Sequence, residues 1–311
     1  MNIVFAGTPP FTLPCLNALA NSKHRLTAVY TQPDRPAGRG HKLQASPVKI
    51  WAEKHGIPVH QPLNFKTQES IDTFTALAPD IMIVIAYGLI LPRTILSVPR
   101  YGCVNAHASL LPLWRGASPI QQAILHHNID TGITLMQMDE GMDTGAILAT
   151  ASCSIDNQDT AGTLHDKLAA LAPPLLLKLL DNLLSGHATP QAQDNHLASY
   201  APKIKKEDAA ICWRQSASAI DCQIRAFNPW PIAYTHAGDA TIRVHKARIL
   251  KQASDAEPGT IIAIDKDGIR VATGEQTLVI EQLQFAGGKV ISVSDWLNAK
   301  HLQLHVQQVL T

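Results

Sequence analysis

The sequence predicts an α/β fold in which a doubly wound, mostly parallel sheet is followed by a second, smaller β domain. Three observations carry that expectation. Apolar strand candidates at Ile3–Ala6, Leu26–Thr31, Ile81–Ala86, Gly102–Asn105 and Ile133–Met138 alternate with helical-looking segments, the order expected of parallel strands joined by crossover helices. The run Ile81-Met82-Ile83-Val84-Ile85-Ala86 has no polar face, as a central strand covered on both sides requires. Beyond residue 200 the pattern changes to short strands at Ile242–Val244, Thr260–Ile264, Ile269–Thr273 and Leu278–Leu283, punctuated by Gly and Asp, the spacing of a small barrel or sandwich.

At 311 residues the chain exceeds the size at which one core usually stops growing, so two domains are expected. A long helical pattern over Thr160–Ser185, expected to break at Pro173 and Pro174, closes at Gly186, and His187–Tyr200 is polar and aperiodic. These breaks set the expected boundaries: an N-terminal domain over 1–188, a linker over 189–205 and a C-terminal domain over 206–311, with a further helix predicted within Ala210–Phe227.

Composition narrows the class. The chain is 46% hydrophobic and 16% charged, which suits a packed core. Net charge is +1, so any contact with nucleic acid must be local. Five cysteines without a Cys-x-x-Cys pair suggest neither a disulfide framework nor a metal site. The N-terminus enters a strand at once, without a signal-peptide pattern, and the longest apolar run, Ile81–Leu91, is too short to span a membrane; the expectation is a cytoplasmic protein without a membrane segment. The first strand is followed by Gly7-Thr8-Pro9-Pro10 with no Gly-x-Gly-x-x-Gly, so a nicotinamide cofactor is not expected.

Two stretches carry candidate chemistry. In Gly102–Pro112, Asn105 and His107 lie two apart at a strand end and so project to one side. An amide donates a hydrogen bond without changing charge and an imidazole holds or releases a proton near neutrality, two capacities that acyl transfer uses; the same pair also suits a polar strand end with a capping Asn and a solvated His. In Met136–Gly145, Asp139, Glu140 and Asp143 sit in a turn-rich loop after a strand, where Asp143 can accept a proton or can simply cap the turn.

With their surroundings these stretches resemble the methionyl-tRNA formyltransferases, a branch of the folate-dependent formyltransferase family, over nearly the whole chain. The matching segments are Phe5–Pro9, Thr31–Gly40, Ala86–Pro92, Trp114–Ala117 and Arg225–Pro231, together with Asn105-x-His107, Ser109–Pro112 and Asp143–Gly145. The resemblance implies a Rossmann-like catalytic domain, an OB-like C-terminal barrel that binds tRNA, and transfer of a formyl group from 10-formyltetrahydrofolate to the amine of initiator methionyl-tRNA. It assigns Asn105, His107 and Asp143 to catalysis and Ser109, Leu110, Leu111 and Pro112 to the folate site. It sets the basic loop with Arg35, Arg39 and Lys42, and the cluster of Lys203, Lys205 and Lys206, against tRNA, with no metal and no obligate protein partner. The motifs shared across the family specify the reaction more sharply than the acceptor, so a sugar-nucleotide amine, or a noncatalytic tRNA-binding relative, are the competing readings. Ala108 where Gly is usual, with Pro10, Leu113 and Met142, departs from the family pattern without removing a proposed catalytic group.

Overall fold

The computed structural model describes residues 1–37, 42–299 and 304–311. In chain order the strands are β1 (Asn2–Gly7), β2 (Arg25–Tyr30), β3 (Arg35–Ala37), β4 (Lys42–Gln44), β5 (Val59–His60), β6 (Ile81–Ile85), β7 (Cys103–His107), β8 (Arg115–Gly116), β9 (Asp130–Gln137), β10 (Ile147–Ser154), β11 (Tyr200–Ala201), β12 (Tyr234–Ala237), β13 (Ala240–Leu250), β14 (Ile261–Asp265), β15 (Gly268–Ala272), β16 (Thr277–Phe285) and β17 (Ile291–Ser292). The α-helices are α1 (Leu13–Ala20), α2 (Pro47–Lys54), α3 (Gln68–Ala76), α4 (Arg93–Leu96), α5 (Pro119–Leu125), α6 (Ala161–Leu184), α7 (Ala217–Ala226) and α8 (Val293–Asn298). They fall into two compact units, one of residues 1–119, 130–154 and 165–201, the other of 120–129, 155–164 and 202–311.

The first unit is built on a seven-stranded sheet of order β10-β9-β7-β6-β1-β2-β5. β5, β2, β1, β6 and β7 run parallel, and β9 and β10 add an antiparallel edge. The doubly wound expectation therefore holds. β6 is buried at every position, as its apolar run requires, and Val4, Ala6, Met82 and Val84 pack with Phe74 and Tyr30 into one core. α2 and α3 start where Ser46 Oγ and Thr67 Oγ1 accept backbone N–H groups three residues on, which satisfies donors that the first helical turn leaves open.

Two elements differ from the sequence expectation. α6 runs unbroken through Pro173 and Pro174. Each proline removes a helix hydrogen bond and costs about 3 kcal/mol in a helix interior, but Leu168, Leu176, Leu179 and Leu180 are fully buried on this helix, and about 1.5–3 kcal/mol per buried leucine outweighs the two breaks. The polar stretch read as a linker over 189–205 is hydrogen-bonded into the first unit up to Ala201: Ile147 and Gln191 exchange backbone bonds, Arg115 N–H donates to Ser199 O, and β11 pairs in parallel with β8.

The second unit holds an antiparallel sheet of order β12-β13-β16-β15-β14, with β17 on β16 and α7 capped by Ser216. Its core contains Ile220, Ile224, Val244, Val271, Ile280 and Trp296. The last residues bridge the two edge strands: Ile261 N–H donates to Gln308 O at 2.8 Å, and His236 and Thr311 exchange backbone bonds at 2.7 and 2.9 Å. The sheet closes as a small barrel through this segment.

Candidate active site

β7 delivers Asn105 and His107 from the carboxyl half of a buried strand, on one side of it, with His107 only 6% exposed. β9 runs antiparallel to β7, so its carboxyl end lies beside Val104, and Met138 N–H donates to Cys103 O at 2.8 Å. The loop that follows then doubles back and brings Asp143 to the same two side chains. Asn105 Nδ2 lies 3.4 Å from Asp143 Oδ1, and His107 Nδ1 lies 3.5 Å from Asp143 Oδ2. The three residues that sequence reasoning singled out are thus brought together.

The protonation geometry of His107 is fixed by its other nitrogen. Nε2 is 2.9 Å from Trp114 O, and a carbonyl oxygen only accepts, so Nε2 carries a proton. Nδ1 is therefore the nitrogen free to gain or lose one, and it faces the Asp143 carboxylate. Asp143 is held by the backbone of β8, where Gly116 N–H donates to Oδ2 at 2.9 Å. Gly116 has φ +118° and lies against Ala201 O, so a side chain would collide there. Asp143 itself sits at φ +55°, in the left-handed region, a conformation that costs of order 1 kcal/mol or more for a residue with a Cβ. In the Asp143-Thr144-Gly145 turn, a Cβ on Gly145 would overlap the Gln137 carbonyl oxygen, which is why glycine ends the motif.

In the Ser109–Pro112 turn, Ser109 and Leu111 are buried and Leu110 and Pro112 are half-buried. Ser109 is fully buried and donates its hydroxyl to Leu113 O at 2.6 Å, while Thr134 Oγ1 donates to Ser109 O and accepts from Leu111 N–H. Leu110 lies against Gly132 of β9. These bonds tie the turn to β9, and 109–112 are not in the walls of two nearby clefts. One, of about 480 Å³, is walled by Arg93, Leu96, Met138, Asp139 and Glu140 and adjoins the Asp143 loop. The other, of about 530 Å³, lies at the carboxyl ends of β1, β2 and β6, with Thr8, Gln32, Arg35, Tyr87 and Gly88 in its wall, where the strand order switches direction and α/β sheets commonly bind ligands. Apart from Arg35, the sequence assigned no role to these wall residues, although Thr8, Gln32, Tyr87, Gly88 and Met138 fall within the quoted motifs and Arg93 directly follows one.

Of the predicted tRNA contacts, Arg35 is exposed on β3 and donates to Gln32 Oε1 at 2.9 Å. Lys42 lies on β4, opposite Ala37 in the hairpin, and Arg39 lies outside the described residues. Lys49 and Gln61 fix the hairpin base through Asp34, and the Lys49 ammonium holds the Asp34 carboxyl below the usual carboxylate range. In the second unit Lys203, Lys205 and Lys206 are all exposed, beside Glu207 and Asp208. No group of three His, Cys, Asp or Glu residues among the described residues is placed to hold a metal ion.

Comparison with known proteins decides the assignment. The formyl transferase family model matches residues 1–180, and the formyl transferase C-terminal domain model matches 203–301. This chain belongs to the formyltransferase family. A methionyl-tRNA formyltransferase of Legionella pneumophila subsp. pneumophila (strain Philadelphia 1) is 58% identical over 310 residues, covering 100% of this chain and 99% of the relative, and that of strain Corby is 57% identical. Among solved structures, the sugar 3N-formyl transferase WlaRD, determined in the presence of dTDP and 5-N-formyl-THF, superposes with a TM-score of 0.69 at 19% identity over 93% of this chain and 99% of that one. HypX from Aquifex aeolicus in complex with tetrahydrofolic acid gives 0.62 at 14% identity, over 98% of this formyltransferase and 48% of the longer HypX chain. At these identities the structural matches establish the fold. No helix among the described residues of this formyltransferase is long and apolar enough to cross a membrane.

Proposed function

We propose that this formyltransferase moves the formyl group of 10-formyltetrahydrofolate to the free α-amine of initiator methionyl-tRNA, in the cytoplasm and for translation initiation, and that Asn105, His107 and Asp143 form its reacting centre. The observation that carries the reading is the convergence of Asn105 and His107 on Asp143, each within 3.5 Å of its carboxylate, in a chain similar over its full length to methionyl-tRNA formyltransferases. The neutral amine attacks the formyl carbon, and negative charge develops on the formyl oxygen. Asn105 Nδ2–H and protonated His107 Nδ1–H donate to it, the electrostatic role that usually contributes most to acyl transfer. Asp143 takes the proton leaving the amine, directly or through a water, and holds the imidazolium. The carbon–nitrogen bond to folate N10 then breaks, and N10 leaves with a proton.

The cleft beside Arg93, Leu96 and Met138 suits the pterin, a flat heterocycle against a partly apolar wall. The cleft at the β1–β6 switch suits the aminoacyl end. Arg35, Arg39 and Lys42 then meet the acceptor arm, and Lys203, Lys205 and Lys206 of a tRNA-binding C-terminal domain contact phosphates, which makes binding salt-sensitive. The test is incubation of the purified protein with 10-formyltetrahydrofolate and a mixed pool of aminoacyl-tRNAs, with every product identified. Formyl-methionyl initiator tRNA as the dominant product supports the assignment. Formylation of a sugar-nucleotide amine in competition, or no formylated tRNA at all, rejects it.

A further inference from the structure

We infer that Gln193 is a positioning residue for formyl transfer, and that buried Arg115 serves to orient it; the inference rests on the reading of Asp143 as part of the reacting centre. Gln193 is half-buried between exposed neighbours at 189–192 and 194–197. Its Nε2 donates to Asp143 O at 2.9 Å and to Gly145 O at 2.7 Å. Its Oε1 accepts from Arg115 Nε at 3.1 Å and from the Arg115 terminal nitrogen at 2.8 Å. The orientation of this amide is unambiguous, because a guanidinium only donates and a backbone carbonyl only accepts. Both donors and both acceptor sites of the side chain are consumed.

Arg115 is 2% exposed, and its guanidinium donates to two neutral amide oxygens, on Gln193 and Asn195. Burying a guanidinium against neutral amides is costly unless its hydrogen bonds are well made, so the site spends stability on fixing the Gln193 amide. What that amide fixes is a turn at positive φ: Asp143 at φ +55°, with its carboxylate 3.5 Å from His107 Nδ1. Gly116 N–H grips the carboxylate from one side, and Gln193 grips the turn's carbonyls from the other. Without the amide donor, two inward carbonyls lose their partner, the turn relaxes and the carboxylate leaves the imidazole.

Two substitutions separate this role from plain structural support. Gln193→Ala removes the donor and the acceptor. Gln193→Glu keeps an oxygen for Arg115 and adds charge pairing there, but sets a carboxylate against the carbonyls of Asp143 and Gly145. Both are expected to lower kcat by about 30-fold or more while KM for methionyl-tRNA changes less than about threefold, on the loss of two hydrogen bonds to the reacting loop. Gln193→Glu is expected to keep the wild-type thermal midpoint or exceed it. A Gln193→Glu enzyme with near-wild-type kcat, or losses of kcat that scale with losses of thermal midpoint across the two variants, overturns the inference. Asp143→Asn measured in parallel keeps the two claims apart. An inactive Asp143→Asn beside fully active Gln193 variants rejects the positioning role and leaves the reacting centre standing, whereas a wild-type protein that formylates no tRNA rejects both.

Discussion

His107 shows how one hydrogen bond assigns a role. Its Nε2–H is committed to Trp114 O, so only Nδ1 can answer a change of charge beside it. Asn105 is the simpler partner, an amide that donates without titrating. Replacing it with alanine is expected to lower kcat by roughly 100- to 1,000-fold, with the thermal midpoint little moved, as removal of an oxyanion donor does; steady-state formylation beside a melting curve checks it, and a loss below about tenfold would remove the donor role. At this scale the sequence was readable where parity alone decides geometry. Asn105 and His107 share a side because they are two apart on a strand. The reach of Asp143 back to them was not readable, since it depends on β9 running antiparallel and on a turn at positive φ. Gln193 left no trace at all, because a polar residue in an aperiodic stretch looks the same whether solvated or clamped.

Among the elements, α6 departs furthest from local expectation. Its two prolines predicted a break, yet the buried leucines on one side carry the helix through. Pro174 is exposed, so its ring contributes little packing to set against the lost hydrogen bond. Pro174→Ala is therefore expected to stabilise the fold: about 3 kcal/mol of helix cost is relieved, less about 1 kcal/mol for the looser unfolded chain. The expected rise in thermal midpoint is several degrees, read by calorimetry; a fall would mean that the prolines set a bend the core requires. The segment 187–201 teaches the complementary lesson. Composition marks it as a connector, but its backbone and its Gln, Asn and Ser side chains are tied to β8, to β10 and to the Asp143 loop. Hydrogen-bonded straps of this kind have no hydrophobic period and stay invisible to pattern reading.

For the whole molecule, the parallel character of the first sheet followed from strand and helix alternation, and a barrel or sandwich from the strand spacing of the second unit; the strand order and the antiparallel edge did not, because both depend on pairings between distant segments. Two half-buried histidines add a molecule-wide property. Burial lowers the affinity of His60, stacked on Tyr30, for a proton, and burial does the same to His245 despite a hydrogen bond that its Nε2–H donates to Gln284 Oε1, which acts the other way. The folded state therefore refuses protons that the unfolded chain accepts below about pH 6.5. Stability is fully expressed above that pH and declines as pH falls toward the folded-state values, well before Asp34, whose depressed carboxyl acts only below about pH 4. Melting curves at pH 7.5 and 5.5 at constant ionic strength should show the lower midpoint at 5.5, and His60→Phe should shrink the difference.

The barrel's dependence on residues 307–311 reaches further than its fold. Those residues satisfy β12 on one flank and β14 on the other, with Leu310 sunk into the core. A chain shortened by five residues would present two raw edges, each ready to recruit a strand from a neighbouring molecule. Such a protein should fail by sticking to itself rather than by quietly losing affinity for its substrate.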